Sequence, residues 1–92
     1  MLARDVEVFV EMAQCCDDVA GKIERFSLDG SSWPLDRYAR DSVLLSLSRI
    51  GELVSHVEEP ESLEVFPGIP WRQVKGMRNF IVHDYKNIDL DM

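Results

Sequence analysis

Long apolar runs, cysteine and basic charge are all scarce in this chain. No segment of its 92 residues approaches the roughly 20 apolar residues needed to span a bilayer, and Met1-Leu2-Ala3-Arg4-Asp5 lacks the layout of a signal peptide. The expectation is a cytoplasmic protein with no membrane partner. The two cysteines, Cys15 and Cys16, are adjacent. Neighbouring helical residues point about 100° apart, so a bond between them would be strained, and they read as small buried or half-buried thiols in a reducing compartment. A metal site would need more ligands at suitable spacing, so neither a metal nor another cofactor is expected. Ten Lys and Arg stand against 17 Asp and Glu, a net charge of −7. That sign excludes a protein that grips nucleic acid over its whole surface; any such function must work through a local basic groove. There is no repeat, no low-complexity segment and no useful run of strand period.

What is present is helical periodicity. Apolar content is 46% and charged content 29%, ordinary for a soluble globular protein. The length suits one domain over 1–92, small enough to gain from a partner surface. From Arg4 to Phe26, Val6, Phe9, Ala13, Cys16, Ala20 and Ile23 alternate by three and four and predict the inner face of a long helix. Ser27-Leu28-Asp29-Gly30-Ser31-Ser32-Trp33-Pro34 reads as a loop. A second helix starts near Leu35 or Asp36 and runs to about Val57, with Val43, Leu47, Ile50, Val54 and Val57 inward and Leu44, Leu45 and Leu53 widening the stripe. Two such helices pack as an antiparallel hairpin, and the broad face of the second requires a further helix or subunit. The connector from Glu58 to Pro70 has room for one helical turn at Glu61–Glu64. Pro70 then suits the first turn of a third helix, Trp71 to about Val82, with Val74, Met77 and Ile81 inward. Asp84 to Ile88 reads as a turn, with Asp89 an N-cap for the start of a further helix at Leu90. The predicted fold is an all-α antiparallel bundle that dimerises.

Chemistry concentrates near the end of the third helix, where Arg78, His83 and Tyr85 form R-x4-H-x-Y. In a chain this short, chance supplies that pattern on the order of a few times in a thousand. Arginine offers a permanently charged planar donor set for a phosphate, and histidine can move a proton near neutral pH. Together they suit metal-free RNA cleavage, the base activating a ribose 2′-hydroxyl and the arginine stabilising the phosphate. Asn79 can orient the imidazole or hold substrate. Arg78 and His83 are about 140° apart on an ideal helix, so they converge only if the helix loosens near His83 or a second copy completes the site. Plainer roles exist for each: a helix-end charge for His83, a solvated cation for Arg78, a half-buried ring for Tyr85. His56 reads as an exposed helix residue, Trp33 and Trp71 as packing anchors.

The stretch Ile69-Pro70-Trp71-Arg72-Gln73-Val74-Lys75-Gly76-Met77-Arg78-Asn79-Phe80-Ile81-Val82-His83-Asp84-Tyr85, followed by Lys86-Asn87-Ile88-Asp89, resembles the signature of HepT-like proteins in the HEPN superfamily. Ile50-Gly51-Glu52 and Arg40-Asp41-Ser42-Val43 match as well. The resemblance implies a helical homodimer whose two motifs line a shared cleft, with Arg78 and His83 catalytic and Asn79 supporting. It also implies a metal-independent endoribonuclease toxin, countered by a nucleotidyltransferase antitoxin that adds AMP to Tyr85. Relatives continue into another helix after the tyrosine whereas this chain ends at Met92, which implies a shortened bundle with apolar surface left for another subunit. The alternative function is a non-catalytic module that binds a nucleotidyltransferase and serves as its substrate.

Overall fold

In the computed structural model, which describes residues 2–28 and 36–84, four helices follow one another: α1 (Ala3–Leu28), α2 (Arg37–Val54), α3 (Pro60–Leu63) and α4 (Trp71–Asp84). Among the described residues there is no strand, and the fold is the expected all-α bundle. Among the described residues, no helix is long and apolar enough to cross a membrane.

The central element is α2, with α1 on one side and α4 on the other. Its start is fixed by Asp36, whose side chain accepts the Ala39 N–H at 3.0 Å, satisfying a donor the first turn cannot. Against α1, the Lys22 ammonium donates to the Ser42 carbonyl at 3.1 Å and the Ser46 hydroxyl at 2.8 Å, while Arg49 reaches Glu11 at 2.8 Å. Residues late in α1 thus meet residues early in α2, the antiparallel hairpin the loop predicts. The further helix required by the broad face of α2 is α4. Leu44 and Leu53 are almost fully buried, but Leu45 is 71% exposed and is no part of the stripe. The helices packed most heavily against α2 are α1 and α4, and Leu45 falls on a face that neither covers.

Helix boundaries differ from the sequence reading: α1 continues through Ser27 and Leu28, which read as loop, and the ends of α2 and α4 are displaced as well. Helix α2 stops at Val54 rather than Val57, because the chain turns at once through Ser55 and His56, whose N–H groups bond back to the Glu52 and Leu53 carbonyls at 3.0 Å. His56 is exposed, as expected, but sits in that turn and not in a helix. Val57 stays half-buried against the core formed by Val8, Met12, Leu53 and Val54. The predicted turn in the connector is α3, with Pro60 in its first turn, where a missing N–H costs nothing.

The larger correction concerns α1. Its inward row is Asp5, Val8, Met12, Cys15 and Val19, one residue earlier than the predicted stripe; Val6, Ala13, Cys16 and Ala20 are exposed. Asp5 explains the rotation. Its carboxylate has no exposed surface and accepts the Glu58 N–H at 2.8 Å, the Glu59 N–H at 3.1 Å and the Ser62 hydroxyl at 2.8 Å. These contacts tie the first turn of α1 to the connector and α3, which turns the Asp5 row inward. A buried charge is tolerable only when so satisfied. The hydrogen bonds, that of Glu58 foremost, hold the Asp5 pKa below its usual value against the opposing effect of burial. Among the described residues, no buried side-chain polar atom lacks a partner. Ala13 and Cys16 of the displaced row, with Phe9, instead border an apolar groove of about 300 Å³ lined also by Phe66, Ile69 and Trp71. Cys16 is therefore exposed, against expectation, and Cys15 half-buried; both are free thiols.

Candidate active site

Helix α4 carries the candidate residues, and three features set its position. Trp71 anchors its start: the indole N–H donates to the Leu63 carbonyl at 2.8 Å, and the ring lies 5.8 Å from that of Phe9, which meets Phe66 edge-on at 5.3 Å. Trp71 is thus the packing anchor it was expected to be, whereas Trp33 lies outside the described residues. Val74, Met77 and Ile81 face inward, as their spacing predicts, with Ile81 the most buried. The third feature is Gly51 in the middle of α2. A Cβ added there would fall 2.8 Å from the Val74 carbonyl oxygen, 2.9 Å from the Arg78 nitrogen and 3.4 Å from the Arg78 Cβ. Only hydrogen fits between the two helices, so the backbone of Arg78 itself rests on α2.

With that face fixed inward, Arg78, Asn79 and His83 project to solvent. The Arg78 guanidinium donates to the Asn79 side-chain oxygen at 3.4 Å, long for a hydrogen bond and leaving most of its donors available. His83 lies in the last turn of α4. The helix runs past the predicted end at Val82 and includes His83 and Asp84, so Asp84 belongs to α4 and not to a turn. The consequence is geometric: α4 does not loosen at His83. Asn79 and His83 stand about 40° apart, almost one above the other, while Arg78 and His83 remain about 140° apart. One chain therefore presents the amide and imidazole together and the guanidinium to one side. Tyr85 and Asp89 lie outside the described residues. Among the described residues no cluster of three or more His, Cys, Asp and Glu could hold a metal ion.

Gly51 is the member of this site that motif reading missed as a functional position. Its signal was in the sequence: a glycine inside an apolar helical stripe costs stability, and close backbone approach is one reason to keep it.

Residues 12–92 match the family model described as Ribonuclease HepT-like, and the chain belongs to that family. Among individual proteins it is similar to one from Methanocaldococcus jannaschii named "Putative RNase MJ1380", with 29% identity over 90 residues, covering 97% of this chain and 80% of the relative. No solved structure matches at a significant level.

Proposed function

We propose that this protein is a metal-independent endoribonuclease acting as a homodimer, the toxin of a toxin-antitoxin pair. The observation that carries the reading is the exposed Arg78–Asn79–His83 group on α4 in a chain of the HepT-like ribonuclease family. The His83 imidazole takes the proton from a ribose 2′-hydroxyl, and the freed oxygen attacks the adjacent phosphorus. The bond to the 5′-oxygen breaks, leaving a 2′,3′-cyclic phosphate and a 5′-hydroxyl that recovers the proton. Arg78 stabilises the charge that builds on the non-bridging oxygens. Because α4 keeps these two side chains about 140° apart, the arginine facing a given histidine comes from the second copy, and the cleft is shared. Tyr85, two residues beyond His83, is the control point: AMP transferred to it by a nucleotidyltransferase antitoxin adds bulk and negative charge where substrate phosphate must lie.

Incubation with RNA in EDTA, beside Arg78→Ala and His83→Ala variants, tests the nuclease: cleavage by the parent alone is expected, and equal cleavage by all three refutes it. The net charge of −7 favours a second reading, a non-catalytic module that binds the nucleotidyltransferase and serves as its substrate. Intact RNA together with an AMP adduct at Tyr85, seen by mass spectrometry after co-expression, selects that reading.

A further inference from the structure

The charge of the chain is unevenly placed. Helix α4 holds Arg72, Lys75 and Arg78 against the single acid Asp84, so it is locally basic in a chain of net charge −7. Elsewhere several cations are held in internal contacts: Arg4 with Glu58, Lys22 with Ser42 and Ser46, Arg40 with Asp41, and Arg49 with Glu11 and Glu52. Arg72 and Lys75 are exposed and make no hydrogen bond or ion pair with any described residue. Carboxylates are plentiful in the chain, yet none of the described ones neutralises them.

Their spacing is ordered. Arg72, Lys75 and Arg78 succeed one another at three-residue intervals, so they are neighbours along one ridge, each about 5–6 Å from the next at Cβ. Arg72 stands opposite the inward face of Val74, Met77 and Ile81, and the ridge winds from there through Lys75 to Arg78 at the edge of the α2 contact; all three side chains are exposed. Each step rises about 4.5 Å along the helix, close to the roughly 3.4 Å advance per phosphate of a stacked nucleic-acid strand. Like charges at this spacing repel, a cost that an anionic ligand removes. Beside the ridge, Gly76 has no heavy atom within 4 Å of an added Cβ, so a strand can approach the helix backbone there.

We infer that Arg72 and Lys75 are a substrate-binding subsite: with Arg78 they form a track for consecutive phosphates of single-stranded RNA, holding those within about three nucleotides of the bond to be cut. The inference rests on the ribonuclease reading and extends it to residues outside the reacting pair. The track makes binding depend on substrate length, because a dinucleotide carries only the phosphate at Arg78. It also lets an acidic protein hold RNA through a local surface while its remaining surface repels it.

The test is Arg72→Gln/Lys75→Gln in the full chain, with Arg25→Gln on α1 as a charge control. With a ten-nucleotide RNA the double variant should show KM raised at least tenfold with kcat within twofold; with a dinucleotide it should match the parent. Equal loss on both substrates, or the same loss from Arg25→Gln, overturns the track. Anisotropy titrations with a 2′-deoxy ten-mer, which lacks the attacking hydroxyl, give a second readout. The slope of log affinity against log salt should shrink by about 1.4, or about 0.7 for each lost phosphate contact. An unchanged slope overturns the track even if RNA is cut. A parent that cuts no RNA but shows the slope difference refutes the nuclease and leaves the track standing.

Discussion

Replacing Gly51 by alanine puts a methyl group where the structure has no room for one. The added carbon would meet the Val74 carbonyl oxygen at 2.8 Å and the Arg78 nitrogen at 2.9 Å, both backbone atoms that no rotamer change can move aside. Relief requires α4 to shift, and overpacking of this kind costs about 1–3 kcal/mol. Against it, alanine is favoured over glycine inside a helix by about 1 kcal/mol. The net expectation for Gly51→Ala is a loss of up to about 2 kcal/mol, and a change of 1 kcal/mol moves the melting temperature of a domain this size by roughly 4–8 °C. Gly21 and Gly76 supply the control, because a Cβ at either meets nothing within 4 Å. Gly21→Ala and Gly76→Ala should therefore stabilise by about 0.5–1 kcal/mol. Urea unfolding followed by circular dichroism measures all three. If Gly51→Ala stabilises as much as Gly76→Ala, the helices are not in contact at this point and the account of how α4 is seated is wrong. Since the clash is with the backbone of Arg78 itself, RNA cleavage by Gly51→Ala should fall by more than its stability at the assay temperature explains.

Asp5→Asn removes the charge that two backbone N–H groups and Ser62 satisfy. The folded pKa is depressed, so the stabilisation is fully present above the unfolded value of about 3.9 and is lost as pH falls through the folded value. The variant should be less stable than the parent at pH 7, with the gap narrowing below about pH 4 in urea titrations; a gap independent of pH refutes this role. Trp71→Phe keeps a ring beside Phe9 but removes the shorter of the two hydrogen bonds to the Leu63 carbonyl, leaving that from the Phe66 N–H, and should lower stability by about 1 kcal/mol in the same assay. Burial pushes the Cys15 thiol up, while Cys16 is exposed, so iodoacetamide at pH 8 should alkylate Cys16 first in a peptide-mapped time course. Faster labelling of Cys15 would contradict the inward placement of its row.

The periodicity of the chain already determined that it is helical, where α4 starts and that Val74, Met77 and Ile81 face inward, because those features depend on local spacing and on Pro70. It also placed Arg78 and Asn79 on that helix, with His83 just past its predicted end. Tertiary structure decided which of two adjacent apolar rows of α1 is buried: the rows lie only about 100° apart and are similar in composition, so the choice fell to what packs against them. Asp5 illustrates why sequence reading missed it. An aspartate near a helix start looks like a solvated charge until the Glu58 and Glu59 N–H groups, more than fifty residues away, are brought to it. The early end of α2 follows from the same turn. Gly51 was visible as a glycine in a helix, but only the approach of α4 shows that it sets the depth of Arg78. The angle between Arg78 and His83 depended on whether α4 stays regular, and its continuation through Asp84 keeps the guanidinium and imidazole of one chain apart. Local pattern thus chose the residues; long-range packing fixed which way they face.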